Sequence, residues 1–347
     1  PPHDPRGKGE LIQLGVDLAL PGSATTAEFL DAVTALAADA GPRASLAGDP
    51  APAPPPGEAP RGAITVVGGP PGGCGASEVA VALAATVGGR GEACVLVDAD
   101  EVAPSLAQRL GLPTYPNLRV AVDAAEGAAD DLGAALTAVD AGRFWALPGQ
   151  GRAGDWSQTR PGDVVAVAQA LARPGVHVLV DVAHRVEDRE GTGGPPRFAA
   201  TRALLAAADT VVGVGVASPV GVARLLDWVA AVQPLTGHAP LHLVCNRAPA
   251  SSYKREEVAA ELRRNVTATT LTFLPADRRV EAAAWACALV APGPFSRAVG
   301  EFTATAVPAF RPPPGRRRGT GRRGTGRRDT GRRGAGPGAG RGSAVAR

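Results

Sequence analysis

The most constraining feature of this sequence is a series of short apolar runs that do not alternate with polar residues. Helical stretches at 76–87, 219–232, 252–264 and 279–289 separate several of them, and 101–175 is predicted to hold loops and at least two helices. Runs of this kind are typical of strands buried on both faces, so we expect an α/β fold with a mostly parallel sheet and helices on both faces. The runs, all rich in Val and Leu, are AITVVG (63–68), CVLVDAD (94–100), HVLVDVA (177–183), TVVGVGV (210–216), LHLVCN (241–246) and TLTFL (270–274).

Composition excludes several classes of protein. Apolar residues make up 45% of the 347 residues, which is enough for a sizeable core, but no run of about 18 apolar residues predicts a transmembrane helix. The four cysteines are far apart and form no C-x-x-C pair, so we expect neither a disulfide framework nor a zinc site. These features favour a cytoplasmic protein.

The first 62 residues differ in character from the rest of the chain. Residues 10–40 contain one strand-like run and one helical stretch, which together cannot bury a core, and 41–62 form a Pro/Ala-rich semi-rigid linker. The sequence contains no methionine and begins PPHDPRGKGE, so we expect the true start of the protein to precede Pro1.

The charge is divided unevenly along the chain. Residues 311–347 hold 12 Arg and one Asp in a repeat of the type G-T-G-R-R, a net charge of +11, which leaves −8 for the rest. This tail has no apolar face and cannot bury apolar surface, so we expect it to be disordered. Arg/Gly-rich segments bind nucleic acid or anionic lipid through phosphate charge, and a translated GC-rich repeat without a role is the alternative.

The segment ITVVGGPPGGCGASEVAVALA (64–84) has the strand–glycine turn–helix layout of a phosphate-binding loop. Such a loop holds phosphate with backbone N–H groups and a helix N-terminus, and a lysine adds charge. Here the loop glycines are present and Ser77 follows, but Ala76 stands where the lysine belongs. A tight strand-to-helix turn without a ligand is the alternative. We expect the Cys74 side chain to be a small filler, and a reactive thiol near the helix N-terminus is the alternative.

The motif PGGCGAS (71–77) resembles the deviant Walker A motif of the MinD/ParA family of P-loop ATPases, K-G-G-x-G-K-[ST]. Other segments resemble that family's motifs in their order. VLVDAD (95–100) is similar to its second acidic motif, HVLVDVA (177–183) to its Walker B strand, and VCNRAP (244–249) to its N-R motif. LPADRRVEAAAWACALV resembles the family's strand-then-Pro segment near the base. The resemblance covers roughly residues 62–308 and implies the P-loop NTPase fold.

The resemblance also implies roles for single residues. Asp98 and Asp100 would be catalytic, and Asn246 and Arg247 would bind adenine. Ser77 and Asp181 would hold Mg²⁺ with ATP. The phosphates would contact Gly72, Gly73, Cys74, Gly75, Ala76 and Ser77. As alternatives, Asp98 and Asp100 cap a helix, Asp181 caps a turn, and Asn246 satisfies loop backbone.

The ending G-A-S without lysine is most similar to the actinobacterial CpaE-like subgroup, which is related to TadZ and includes septum-site-determining proteins. Members of this subgroup carry a receiver-like (CheY-like) domain before the ATPase-like domain. We therefore predict four parts: 1–40 as the remnant of a receiver-like domain, 41–62 as linker, 63–310 as the MinD/ParA/CpaE-like domain, and 311–347 as tail.

Both family lysines are absent, because Pro71 and Ala76 stand at their positions. Losing one hydrogen bond to a charged group weakens binding by about tenfold to a hundredfold. Hydrolysis should suffer more, because charge grows on the leaving γ-phosphate. Glu78 brings a further negative charge toward the phosphates. We therefore expect weak binding of ATP and Mg²⁺ and a pseudo-ATPase or very weak ATPase.

The sequence leaves three functions open. The favoured one is a CpaE/TadZ-like regulatory localisation factor that places septum or pilus/secretion machinery through protein partners. A homodimer is expected among its assemblies, and the expected location is the cytoplasm or the inner face of the plasma membrane. The second is an active MinD/ParA-type ATPase that uses a substitute cation, either Arg247 or an arginine of a partner subunit. The third is nucleic-acid binding through the basic tail.

Overall fold

The computed structural model describes residues 61–307 except 128, 152 and 189–196. All of the described residues belong to one compact unit, which begins at Arg61. The predicted receiver-like remnant, nearly all of the predicted linker and the predicted tail lie outside the described residues.

The described chain forms one eight-stranded sheet with the order β3-β4-β2-β5-β1-β6-β7-β8. Every neighbouring pair is parallel except β3 and β4, which are antiparallel. The strands are β1 (Ala63–Gly68), β2 (Ala93–Ala99), β3 (Thr137–Val139), β4 (Phe144–Leu147), β5 (Val176–Val182), β6 (Thr210–Val216), β7 (Leu241–Ala248) and β8 (Thr270–Pro275).

Nine α-helices connect the strands of the described residues: α1 (Ala76–Gly89), α2 (Leu106–Leu110), α3 (Leu118–Gly127), α4 (Pro161–Leu171), α5 (Ala199–Ala206), α6 (Pro219–Val232), α7 (Ser252–Asn265), α8 (Arg278–Trp285) and α9 (Pro294–Ala306). Short 3-10 helices lie at Ala129–Ala135, Asp140–Gly142 and Ala153–Gln158. None of the helices in the described residues has both the length and the apolar character that crossing a membrane requires.

Both faces of the sheet are buried, as the apolar runs predicted. In β5, Val178 and Val180 pack in one core cluster and Leu179 in the other, because successive side chains point to opposite faces. Helices α3 to α7 contribute to the first cluster, and α1, α2 and α9 to the second. The predicted α/β class, a mostly parallel sheet covered on both sides, is confirmed.

All six predicted strands are present, and the four predicted helices are found with small changes of bounds. The helix predicted at 279–289 begins at Arg278 and ends at Trp285. The prediction for 101–175 was incomplete, because this segment also contributes β3 and β4. These strands have three and four residues, too few to show a pattern. They are strands because β4 pairs with β2 and β3 then pairs with β4 at the edge of the sheet.

Candidate functional site

The site lies at the carboxyl ends of the central strands. The chain runs from β1 toward β2 on one side, whereas β6 and β7 lie on the other side of β1. In open α/β sheets, ligands bind in the crevice at such a switch of direction. The topology therefore places the glycine-rich loop after β1 beside the ends of β5, β6 and β7.

The loop itself has the backbone conformation that a phosphate cradle requires. Gly72, Gly73 and Gly75 have φ angles of 106°, 69° and 92°, in the left-handed region that favours glycine. Successive N–H groups in such a conformation form an anion-binding concavity, and the 14-residue helix α1 begins directly after it. The loop therefore has the backbone part of a phosphate cradle but no lysine.

Cys74 lies in the loop, but its side chain belongs to the core. The side chain is 7% exposed, and burial raises the pKa of its thiol. A raised pKa disfavours the nucleophilic thiolate. Cys74 is therefore a packing residue whose backbone completes the loop, in agreement with its predicted role as a small filler.

Asn246 ties the end of β7 to the loop. Its Nδ2 donates to the carbonyl oxygen of Cys74 at 3.0 Å, and its Oδ1 accepts from the backbone N–H of Arg247 at 2.9 Å. A Cβ at Gly75 would lie 2.4 Å from this Nδ2, so the glycine makes room for the amide. The alternative in which Asn246 satisfies loop backbone matches this geometry. Adenine binding by Asn246 remains a prediction.

A cleft of about 660 Å³ adjoins the loop. The loop and α1 contribute Gly75 and Glu78, and β7 contributes Asn246 and Arg247. The remaining lining residues come from the end of β8 and from α8 and α9 with the turn between β8 and α8: Pro275, Ala276, Asp277, Arg278, Val280, Glu281, Ala284 and Phe295. Ligand pockets have volumes of about 300–1,000 Å³, so a nucleotide would fit. The cleft brings together the loop, the N-R motif and the segment whose sequence resembles the family's base-binding region.

The buried carboxylates Asp98 and Asp181 face each other on adjacent strands, in register between β2 and β5. Asp98 accepts backbone N–H groups of Ser105 at 2.8 Å and Leu106 at 2.9 Å, at the beginning of α2. Burial raises the pKa of Asp98 to about 6. Asp100 similarly accepts from Val102 at 2.7 Å. Asp98 therefore does what the capping alternative describes, whereas Asp100 stabilises the turn before the helix. The catalytic role of both residues remains a prediction.

Asp181 has a carboxylate oxygen that can still accept a ligand. It is 2% exposed, and among the described residues its Oδ2 has no hydrogen-bond partner. Burial first, and then the charge of Asp98, raise the pKa of Asp181 well above its usual range, whereas a hydrogen bond with Ser77 lowers it. A buried, unpaired carboxylate oxygen is costly unless a ligand or water satisfies it.

Ser77 and Asp181 fit a magnesium ion that also takes phosphate and water oxygens. Mg²⁺ is commonly held by one or two protein oxygens together with substrate phosphates. The described residues contain no group of three or more His, Cys, Asp or Glu side chains placed to hold a metal ion. Nucleotide and metal would therefore have to bind together.

Glu78 is not the isolated negative charge that its sequence position suggested. Arg109 of α2 donates to both of its carboxylate oxygens, with Nη2 to Oε2 at 3.0 Å, and also to the carbonyl oxygen of Ala288 at 2.9 Å. The Arg109 side chain is 8% exposed, so water screens the pair only partly. This pairing neutralises Glu78 at the edge of the cleft, so Glu78 opposes phosphate binding less than its sequence position predicted.

Two arginines lie near the loop. Arg247 lines the cleft and has a φ of 52°, a strained backbone conformation for a residue with a side chain. Arg224 of α6 reaches the loop from the other side, with its Nη1 3.5 Å from the carbonyl oxygen of Pro71. Sequence reasoning missed Arg224, because no motif marks it and only the packing of α6 brings it to the loop.

The fold of the described residues is similar to that of solved ParA and MinD ATPases. No family model and no curated protein matches the sequence, so this similarity rests on the structure alone. The chain is similar to a ParA family ATPase from Chlorobium tepidum TLS, with 14% identity and a TM-score of 0.59 over 70% of this chain and 99% of that chain.

Two further similar structures contain nucleotide. One is the septum site-determining protein MinD of Pyrococcus horikoshii OT3 complexed with Mg-ADP, with 19% identity and a TM-score of 0.55 over 69% of this chain and 93% of that chain. The other is a Cyanothece McdA(D38A)–ATP complex, with 16% identity and a TM-score of 0.57 over 72% of this chain and 98% of that chain. Identities this low establish the fold.

Proposed function

We propose that this chain is a regulatory localisation factor of the CpaE/TadZ type, with residues 63–310 as a domain that binds Mg·ATP weakly and hydrolyses it very slowly or not at all. The observation that carries the proposal is a retained site without its lysine. The glycine cradle and the unsatisfied Asp181 are in place, whereas Ala76 offers no charge. Similar solved structures include a MinD with Mg-ADP and an McdA with ATP, which supports nucleotide as the ligand.

In this proposal each residue has a limited task. The backbone from Gly72 to Ser77 binds the phosphates, and Ser77 with Asp181 holds Mg²⁺, whose chemistry would be to neutralise phosphate charge. Asn246 keeps the loop attached to β7 and presents its remaining hydrogen-bonding capacity, with Arg247, toward the base. Asp98 and Asp100 hold the segment that leads into α2 in position, and their carboxylates would orient an attacking water.

The chain would act through protein contacts rather than turnover. Its partners would belong to a division or Tad-type pilus/secretion assembly, and a homodimer would present two copies of the nucleotide site. Cytoplasmic, or peripheral at the inner face of the plasma membrane, is the proposed location.

Titration of Mg·ATP and Mg·ADP onto the full chain by calorimetry tests the pocket. We expect dissociation constants about tenfold to a hundredfold weaker than for a lysine-containing loop, because one charged hydrogen bond is missing. Asp181→Asn should weaken binding of Mg·ATP more than binding of metal-free ATP. Absence of binding at millimolar nucleotide would refute the nucleotide part of the proposal, and appreciable turnover that Asp100→Ala abolishes would refute the regulatory part.

A second experiment tests the positioning role. A fluorescent fusion of the full chain, expressed in an actinobacterium, should concentrate at a pole or a septum. A uniform distribution through the cell would contradict a role in placing an assembly.

The active MinD/ParA-type ATPase is a second candidate, favoured by the two arginines beside the loop. It differs in requiring ATP-dependent dimerisation and multiple turnovers. Sedimentation at saturating Mg·ATP separates the two candidates, since a monomer without turnover would exclude the active ATPase.

A further inference from the structure

Arg224 occupies the space directly over the first glycine of the loop. A Cβ built on Gly72 would lie 2.5 Å from the Arg224 Nη1, so the guanidinium rests where a side chain at position 72 would be. The φ of 106° at Gly72 also requires glycine. The glycine therefore serves two purposes: it bends the loop, and it leaves room for a cation from another helix.

The position of Arg224 is set by the packing of α6. Ser218 caps this helix by accepting from the N–H of Gly221 at 3.1 Å. Trp228, one turn after Arg224, packs on β1, where its ring would meet a Cβ at Gly68 at 3.0 Å. Leu225 packs equally closely on Gly215 of β6. The buried side chains of Leu225 and Trp228, on the same helix, thus hold the Arg224 backbone beside the loop.

The charge of Arg224 is available to a ligand. The Arg224 side chain forms no ion pair with any described carboxylate. Its one hydrogen bond within the described residues, to the Pro71 carbonyl oxygen, is at the 3.5 Å limit. A guanidinium has five N–H donors in a planar fork that matches phosphate oxygens. Most of these donors face no acceptor within the described part of the chain.

We propose that Arg224 of the same chain supplies the positive charge that the loop lacks and contacts the phosphate groups bound there. This inference rests on the proposed function, since it assumes a phosphate-bearing ligand on the loop. It differs from the sequence-based candidates, Arg247 and an arginine of a partner subunit. It also explains how a loop without lysine keeps a use for its cradle, because the cation arrives from α6.

Calorimetry on the full chain tests this with three probes: Mg·ATP, inorganic tripolyphosphate and adenosine. Salt of about 0.3 M suppresses exposed, non-specific binding of polyphosphate, and every variant carries the same tail. The variants are Arg224→Ala, Arg224→Lys and Arg247→Ala, with the exposed Arg263→Ala on α7 as matched control. Far-UV circular dichroism and urea midpoints verify that each variant is folded.

We expect Arg224→Ala to weaken the binding of Mg·ATP and of tripolyphosphate by about tenfold. This is the effect of losing one hydrogen bond to a charged group at an exposed site. Adenosine binding should not change. Arg224→Lys should fall between wild type and Arg224→Ala, because it keeps the charge without the planar fork. Arg263→Ala should behave as wild type.

The remaining outcomes separate this inference from the proposed function. If wild type binds Mg·ATP and Arg224→Ala binds it equally well, or only Arg247→Ala is impaired, the inference is wrong and the proposed function stands. If the binding of tripolyphosphate depends on Arg224 but Mg·ATP binds no more tightly than tripolyphosphate, the inference stands and the nucleotide proposal is wrong. If wild type binds none of the probes, both are wrong.

Discussion

At the scale of single residues, the site contains polar side chains that are buried at the ends of the central strands. Asp98 and Asp181 are almost completely buried, and their pKa values are raised because desolvation disfavours the ionised form. Asp98 is compensated by backbone N–H groups, whereas Asp181 Oδ2 has no partner among the described residues. The two residues therefore differ in what they still offer a ligand.

The raised pKa values predict that stability falls with rising pH. A folded-state pKa above the unfolded value of about 3.9 means that the folded protein binds more protons than the unfolded chain. The free energy of unfolding should therefore decrease as pH rises from 4 through about 6, the pKa of Asp98, and further as Asp181 ionises. Urea unfolding of wild type and Asp181→Asn at pH 4, 6 and 8 measures this.

Asp181→Asn should lose less stability over this range than wild type, because its amide does not ionise. Asp123→Asn, on the exposed surface of α3, is the control. Identical pH dependence in wild type and Asp181→Asn would show that Asp181 is not the titrating group.

Replacing Asn246 with Ala should destabilise the protein by about 1–3 kcal/mol, the cost of leaving a buried hydrogen-bonding group without its partner. The group concerned is the Cys74 carbonyl. Asn265→Ala, an exposed change at the end of α7, should stay within about 0.5 kcal/mol of wild type in the same urea titration. If the two variants are equally stable, the contact between Asn246 and the loop contributes nothing.

At the scale of elements, the approach of α6 to the sheet determines which side chains reach the loop. Leu225 and Trp228 pack on glycines of β1 and β6, which lets the helix lie close to the strands. The same packing places Arg224 over the loop. The position of this helix is therefore part of the site although only one of its side chains contacts the loop.

Adding one methyl group beneath this helix should disturb both stability and binding. A Cβ at Gly215 would lie 2.8 Å from Leu225 Cδ2, so Gly215→Ala should cost about 1–3 kcal/mol through overpacking. It should also weaken binding of Mg·ATP, because it moves Arg224. Urea unfolding and calorimetry measure the two effects.

Gly300→Ala is the control for Gly215→Ala, because it adds a methyl group where the structure has room for it. Gly300 lies within α9 and a Cβ there meets nothing within 4 Å, so this change should stabilise by about 0.5–1 kcal/mol. If Gly215→Ala is as stable as wild type, α6 has room to move and its packing does not set the position of Arg224.

At the scale of the whole molecule, charge is divided between a body of net −8 and an Arg/Gly tail of net +11. The carboxylates near the site belong to the body, so they do not favour binding of a polyanion there unless arginines compensate. The tail is the part whose composition suits long polyanions. The proposed nucleotide binding and the predicted nucleic-acid binding can therefore be tested separately.

Removal of residues 311–347 should abolish salt-sensitive binding to DNA and leave the free energy of unfolding unchanged. Electrostatic binding to phosphates weakens steeply with salt, by about 10³–10⁵ between 50 and 200 mM for 6–10 phosphate contacts. Fluorescence anisotropy with a labelled duplex at these two concentrations measures the effect. Salt-sensitive binding that persists after the truncation would place the DNA contacts in the body.

Much of the fold could be predicted because its signals are local. Six apolar runs and the helical stretches between them indicated a parallel sheet covered on both faces, since burial on both sides removes alternation. The glycines of the loop likewise indicated a turn between a strand and a helix. Strands β3 and β4 were missed because three or four residues show no periodicity. They are strands because β4 pairs with β2 and β3 pairs with β4.

The sequence by itself determined the class of fold, the place of the phosphate loop and the absence of its lysine. All three depend on residues close together in the chain. Only the tertiary structure decided that Arg109 neutralises Glu78, that Asn246 holds the loop, and that Arg224 lies over Gly72. Each of these pairs joins residues 31 to 172 positions apart, and long-range packing, which no local pattern encodes, brings them into contact.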